Sequence, residues 1–437
     1  MENTSNQISS SPARLKIVFR SLNHRNYRLF FSGQIISLTG SWMQYVAIAW
    51  LIYRITDSVA MLGLIGFAGQ IPIFILSPFT GALIDRWSRH KVLIITQIIL
   101  MIMAFMLVYL FYTSSIEIWQ IFVISIVSGI THSFDIPARQ SFVIDMVENK
   151  EDLGNAIALN SLLFNGAMLI GPSIAGILLA SSGEGICFLV NGISYFFIIS
   201  SLVLMKVKPA KVLKSKKNIL KDIKEGISYV FDCIPMRYII LLLALANLLA
   251  VPYTVLLPAF AKDILAGGSN IYGFLVGASG FGALLGALYL ASMKTPEKTG
   301  KLIPWSAIIF GLGLIIFSFS RYNIFSIIII GAVGFGDMLH TAASNTFIQT
   351  ITDDDKRGRV MSLYTMAIVG TAPFGSLLIG ELADLIGIPN TLMIGGAACI
   401  TGAFIFIKKV PYLRILSTPD GYVGTTSELK TDNRIIN

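Results

Sequence analysis

The sequence predicts an all-α membrane protein: twelve transmembrane helices in two pseudo-symmetric six-helix bundles, with both termini cytoplasmic. Three observations predict it, namely an apolar composition, twelve apolar segments of bilayer length, and a one-sided distribution of lysine and arginine. Of 437 residues, 54% are hydrophobic and 13% are charged, and the mean hydropathy is +0.74. Soluble chains are about a quarter charged, so this one lacks the residues to cover a water-facing exterior. A helix of about 20 apolar residues crosses a bilayer. Twelve of them leave only short loops, with no room for a separate soluble catalytic domain, and most enzyme architectures are excluded.

Apolar segments recur at 30–53, 60–84, 92–112, 117–138, 155–180 and 186–205. They resume at 238–261, 271–293, 302–320, 322–345, 360–383 and 390–407. The first is the most polar, because Ser32, Gln34, Ser37, Thr39, Ser41 and Gln44 interrupt it. As a span it would turn that polar face inward. With this division the two tails and the loops on their side hold 30 of the 33 Lys and Arg, and the opposite face holds only Arg54, Lys262 and Arg321. Short loops rich in these residues stay cytoplasmic, and an odd number of spans would scramble the bias. The net charge of +9 is thus a topological signal, and nucleic acid is not an expected partner.

The chain then divides into an N-terminal tail (1–29), an N-terminal bundle (30–205), a basic linker (206–237), a C-terminal bundle (238–407) and a C-terminal tail (408–437). Eight lysines lie between Lys206 and Lys224. Ile219, Leu220, Ile223, Ile227 and Val230 share a stripe apart from Lys217, Lys221 and Lys224, which suits either a helix on the inner membrane surface or a disordered basic linker. The first 29 residues are polar and basic, so no cleaved leader is expected. The tail from Pro419 has the Ser, Thr and Gly content of a disordered segment. The halves echo each other at an offset of 205 residues: Ser141-Phe142-Val143-Ile144 matches Thr346-Phe347-Ile348-Gln349, His132 matches Asp337, and Asp135 matches His340. Two duplicated halves with a solute site between them form a transporter arrangement.

The most specific local signal is Gly81-Ala82-Leu83-Ile84-Asp85-Arg86-Trp87-Ser88-Arg89-His90-Lys91, between spans two and three. Gly81 permits close helix contact, and Asp85 at the membrane edge needs a cation or a helix amino terminus beside it. Arg86, Arg89 and Lys91 hold the turn on the cytoplasmic side. This stretch resembles the loop signature of the major facilitator superfamily. Ala167-x-x-x-Gly171-Pro172-x-x-Ala175-Gly176 in span five is similar to the small-residue and proline motif of that superfamily's antiporters. Asn26-Tyr27-Arg28-Leu29-Phe30-Phe31-Ser32-Gly33-Gln34, Pro137-Ala138-Arg139-Gln140 and the run from Asn155 to Asn165 resemble one branch, the transmembrane secretion effector family of enterobactin-exporter-like and macrolide-efflux-like transporters. The resemblance covers about residues 20–410. Met168 departs from it, standing where many members of the family carry arginine after Asn-x-Ala.

The resemblance implies the major facilitator fold, alternating access, and outward transport of amphipathic small molecules, drug-like or siderophore, by proton antiport across a bacterial cytoplasmic membrane. It also implies that Asp85 meets the amino end of span eleven near Val360 to Leu363 when the protein faces outward; the plainer reading of Asp85 is a topological anchor. An importer of the same fold is the alternative. A lipid-acting intramembrane enzyme is a remote one, resting on Ser133 beside His132 with no third group to orient them.

Ionisable residues inside spans are costly and mark candidate sites. His132 and Asp135 in span four, and Asp337 and His340 in span ten, each share a helical face at i,i+3. A carboxylate and an imidazole so placed form a unit that takes up and releases protons, although Asp135 has Arg86, Arg89 and Arg139 as potential ion-pair partners. Gln34, Trp42, Gln44, Gln70, Asn160, Asn165, Asn247 and Tyr253 are the candidate cavity lining, each equally suited to a helix-packing hydrogen bond. Pro72, Pro78, Pro172, Pro252, Pro258 and Pro373 bend helices, as static kinks or as hinges. Cys187, Cys233 and Cys399 form no CxxC pair, so neither a disulfide nor a metal site is expected. Gly300-Lys301 lacks the rest of a phosphate loop. Small-molecule cargo, protons and membrane lipid are the expected partners of a monomer, with no cofactor and no nucleotide.

Overall fold

The computed structural model describes residues 20–84, 87–147, 149–206, 219–293, 299–353 and 356–410. Asp85, Arg86, most of the linker lysines and most of both tails lie outside the described residues. Among those described, twelve helices are long and apolar enough to cross a membrane, and there is no strand. The first six are span one (Arg25–Thr56), two (Val59–Ile84), three (Arg89–Tyr112), four (Ile118–Met146), five (Leu153–Ser182) and six (Glu184–Val203). The rest are span seven (Ile234–Ile264), eight (Ser269–Ser292), nine (Thr299–Phe319), ten (Asn323–Ile351), eleven (Arg357–Ile386) and twelve (Ile388–Lys409). A further helix, Ile219–Asp232, precedes span seven.

Each span begins and ends within a few residues of its apolar segment, except where a polar end continues the helix. Span four runs past Arg139 and Asp145 to Met146, and span ten runs to Ile351, because helical hydrogen bonding does not stop where hydropathy falls. Spans seven and eleven are interrupted. In span seven the helix Ile234–Leu249 yields to Tyr253–Ala259 at Pro252, and in span eleven Arg357–Val369 yields to Ala372–Ile386 just before Pro373. Proline has no N–H for the helical ladder, which opens it there. Pro137, Pro172, Pro258 and Pro304 sit inside continuous helices.

One face of the molecule carries the loops rich in Lys and Arg, termed here the basic face; the other is the far face. The halves meet where span five packs on span eight and span two on span eleven. Near the far face this contact is made by bare backbone. A Cβ at Gly273 would stand 2.5 Å from Gly176 Cα, and one at Gly380 would stand 2.9 Å from Gly63 Cα, so only glycine fits. At mid-span, Gly277 meets Ser173, Gly280 meets Met168, and Phe67 and Phe74 stand edge-on to Phe374. Toward the basic face span five leaves its neighbour: a Cβ at Gly166 or Gly154 meets nothing within 4 Å, and Gly286 of span eight faces Phe335 of span ten.

The apolar core divides the same way. One continuous cluster near the far face joins residues of both halves, including Val46, Leu51, Ile65 and Phe188 with Leu257, Phe260, Phe317 and Ile379. Toward the basic face there are two clusters, one around Phe142 and Leu159 in the first half and one around Phe347 and Val360 in the second. The halves therefore converge at the far face and part toward the basic face.

Candidate functional site

The closure at the far face is polar at its rim. Asp57 follows span one with φ 49°, a left-handed conformation that Asp tolerates, and its N–H closes the helix on Tyr53 O at 2.9 Å. This turn aims the carboxylate at Lys262 of the opposite half, with which it forms an ion pair. The Lys262 ammonium also stands 5.2 Å from the Tyr53 ring centroid, and the Tyr53 hydroxyl donates to Asp263. Asp384 of span eleven completes the rim. Its Oδ1 accepts the Val59 N–H at 3.0 Å and its Oδ2 accepts the Ser58 hydroxyl at 2.9 Å. The amino terminus of span two is thus capped from the other half. Beside it, Arg54 forms an ion pair with Glu184 at 2.8 Å within the first half.

Below this rim the walls of the seam are aromatic and polar. Trp42 packs edge-on against Tyr45 and against Phe164 of span five, with centroids 5.7 and 6.0 Å apart. Gln70 reaches across the halves and donates to Ser376 Oγ at 3.3 Å. Three other candidates turn inward to their own half. Gln44 accepts from Asn191 Nδ2 at 2.8 Å, Asn247 donates to Leu243 O at 2.9 Å, and the Tyr253 hydroxyl meets Ser279 Oγ at 2.6 Å. Asn165 donates to Ser161 O of its own helix at 2.8 Å. Gln34 is buried, and Asn160 is half-buried.

The two carboxylate–histidine pairs differ. Asp135 is 2% exposed and fully partnered: Thr96 Oγ1 and Gln97 Nε2 donate to Oδ1 at 2.9 and 2.8 Å, and Arg139 lies 3.3 Å from Oδ2. Asp337 is half-buried, and among the described residues its carboxylate has no hydrogen bond or ion pair. Its field reaches Tyr253, Tyr364 and Cys399. His340 is not joined to it; Nδ1 faces Ile303 O at 3.2 Å while Nε2, fully buried, has no partner. His132, half-buried, makes no hydrogen bond among the described residues.

A family model described as transmembrane secretion effector matches residues 18–417. The chain belongs to the transmembrane secretion effector family. It is a major facilitator superfamily transporter of small molecules and not an enzyme. Among curated proteins it is similar to the staphyloferrin A transporter of Staphylococcus aureus, 26% identical over 90% of this chain and 99% of that protein. Macrolide efflux protein A of Streptococcus pyogenes is 22% identical over 87% of this chain and 96% of its own length. The enterobactin exporter EntS of Shigella boydii is 24% identical, over 92% and 96%. Among solved structures, nucleoside transporter NupG superposes with a TM-score of 0.66 at 14% identity, over 89% of this chain and all of that one. A bacterial homologue of the lysosomal transporter Spinster, inward-facing and unoccupied, gives 0.66 at 13% identity over 93% and 98%. The fold is that of the superfamily, and twelve apolar helices with bacterial transporter relatives make the protein a multi-pass component of the inner membrane.

In this transmembrane secretion effector the loop signature is partly in view. Asp85 and Arg86 lie outside the described residues, and Gly81 lies in the last turn of span two. Arg89 Nη1 lies 3.2 Å from Asp145 of span four, His90 is stacked on Phe142, and Lys91 is exposed. The antiporter-like motif in span five is a packing surface: a Cβ at Gly171 would meet Trp42 Cβ at 2.7 Å, Gly176 touches span eight, and Pro172 offers its carbonyl to Gly273. Sequence reading missed the rim of Tyr53, Asp57, Lys262, Asp263 and Asp384. Lys262 and Arg54 were its available signal, as rare cations on the face poor in them.

Proposed function

We propose that the protein is a proton-coupled exporter of amphipathic small molecules, of the macrolide or siderophore kind, that alternates access across the inner membrane. The observation that carries this reading is the closure of the seam at the far face by Asp57–Lys262, Tyr53–Asp263 and Asp384 on span two, while spans five and eight separate toward the basic face. The lysine and arginine count favours a cytoplasmic basic face and cytoplasmic termini. The cargo then enters from the cytoplasm and meets Trp42, Tyr45, Phe164, Gln70 and Ser376. Asp337, which lacks an ion-pair partner among the described residues, is the coupling carboxylate. Asp135 has a structural role, because three partners already satisfy it. Asp85 gates the cytoplasmic side with Arg89 and Lys91 nearby, and the linker helix Ile219–Asp232 rests on the inner membrane surface as part of a monomer.

The test is efflux of a macrolide, a fluorescent drug and a catecholate siderophore from energised cells. Deletion is expected to raise internal cargo, and a protonophore or Asp337→Asn is expected to abolish gradient-driven efflux. Lower cargo on deletion would make the protein an importer. Efflux indifferent to protonophore would end the antiport reading.

A further inference from the structure

Span ten carries a row of polar side chains of which the reading above uses only Asp337. Asp337, Thr341, Asn345 and Gln349 recur every four residues, so they follow one side of the helix with a slow drift around it. The first three are half-buried, and Gln349, at the basic-face end, is exposed. Span ten packs closely on spans eight and nine and only lightly on spans seven and eleven. Its tightly packed side is a different one, formed by Leu339, His340, Ala343, Ser344 and Phe347. The polar row looks into the loosely filled side. There the Tyr364 hydroxyl of span eleven donates to Thr341 O at 3.0 Å, and Gln349 Nε2 donates to Asn345 Oδ1. Most threonine hydroxyls in these spans bond back to the preceding turn, as Thr350 does to Thr346 O at 2.9 Å. The Thr341 hydroxyl makes no hydrogen bond among the described residues.

We propose that Asp337, Thr341, Asn345 and Gln349, together with the Tyr364 hydroxyl, line a hydrated proton lane from mid-span to the basic face. Along it Asp337 exchanges its proton while the halves are parted on that side. The proposal rests on the coupling role of Asp337 given above. Hydroxyls of Thr341 and Tyr364 and amides of Asn345 and Gln349 each both donate and accept, and a bound water needs two to four such partners. The step balances. The Asp337 O–H bond breaks and its electron pair remains on the carboxylate; a lane water takes the proton, and another proton passes from the lane to bulk water at Gln349. The titratable groups close enough to feel the charge of Asp337 are Tyr253 of span seven, Tyr364 of span eleven and Cys399 of span twelve, with His340 on its own helix.

The experiment follows the Asp337 carboxyl stretch by time-resolved infrared spectroscopy after a pH jump on the purified full-length protein in lipid, with Asp337→Asn to identify the band. The double variant Thr341→Val with Asn345→Leu is expected to slow the response at least about tenfold, while Thr341→Ser alone keeps the wild-type rate. Tyr364→Phe, which removes one hydroxyl and keeps the ring, carries the same expectation should the double variant fail to fold. Asn345→Cys is expected to react with a membrane-impermeant thiol reagent from the basic face, and Ser344→Cys, on the packed side, is not. An unchanged rate in the variants overturns the lane and leaves the coupling role standing. An unreactive Asn345→Cys overturns its hydration. A wild-type band that ignores pH removes the coupling role and the lane together.

Discussion

Asp135 and Asp337 read alike along the chain, each a carboxylate three residues from a histidine, and their surroundings separate them. Asp135 is held by Thr96, Gln97 and Arg139, so its charge is matched inside the first half. Removing one partner of a buried ion pair typically costs about 3–5 kcal/mol, because the other charge is stranded. Arg139→Ala is therefore expected to lower the melting temperature and folded yield in detergent, and Asp135→Asn together with Arg139→Met is expected to recover much of both. The i,i+4 spacing of Asp135 and Arg139 was readable in the sequence. Thr96 and Gln97 were not, because they come from another helix whose rotation no local pattern states. The glycines of the seam belong to the same scale. Gly273→Val would drive a side chain into Gly176 Cα and Pro172 O, 2.5 and 2.7 Å from its Cβ, and overpacking of this kind costs about 1–3 kcal/mol. A lowered melting temperature is expected, with Gly154→Ala, where a Cβ meets nothing within 4 Å, as the silent control.

Helix ends carry the switchable contacts. Asp384 caps the first turn of span two from across the seam, so the cap exists only while the far face is closed. Losing such a cap costs about 0.5–2 kcal/mol, equivalent to roughly 2- to 30-fold in a two-state equilibrium. Asp384→Ala is expected to shift the population toward opening at the far face, read as longer distances between spin labels placed across it. Lys262→Ala should do less, under about 1 kcal/mol, since its pair with Asp57 is exposed and screened. Apart from the polar ends of spans four and ten, span boundaries were legible to within a few residues, because bilayer thickness sets a length that composition must meet. The polar row on span ten was also there to be found, at i,i+4 from Asp337. The Asp384 cap was hidden, because its two partners lie more than three hundred residues apart and belong to different halves.

Among the described residues the molecule has one core at the far face and two at the basic face, which is how a pair of rigid halves looks when it is open on one side. Ser58 Oγ and Asp384 Oδ2 are 2.9 Å apart, so Ser58→Cys with Asp384→Cys is expected to cross-link under oxidation. The native cysteines are buried and will not compete. The cross-linked protein should lose efflux and regain it with reductant; undiminished efflux after complete cross-linking would show that the far face need not part. The number of spans and the basic face were legible from the lysine and arginine count. Which face stands open was not, since one sequence must encode both states. The bare backbone contacts Gly176–Gly273 and Gly63–Gly380 add a property that appears only during turnover. They offer no side chain to swing aside, and dispersion attraction fades within about an ångström of separation. The contact is therefore lost once the halves part slightly, so these glycines favour a far side that is fully closed over one that is partly parted.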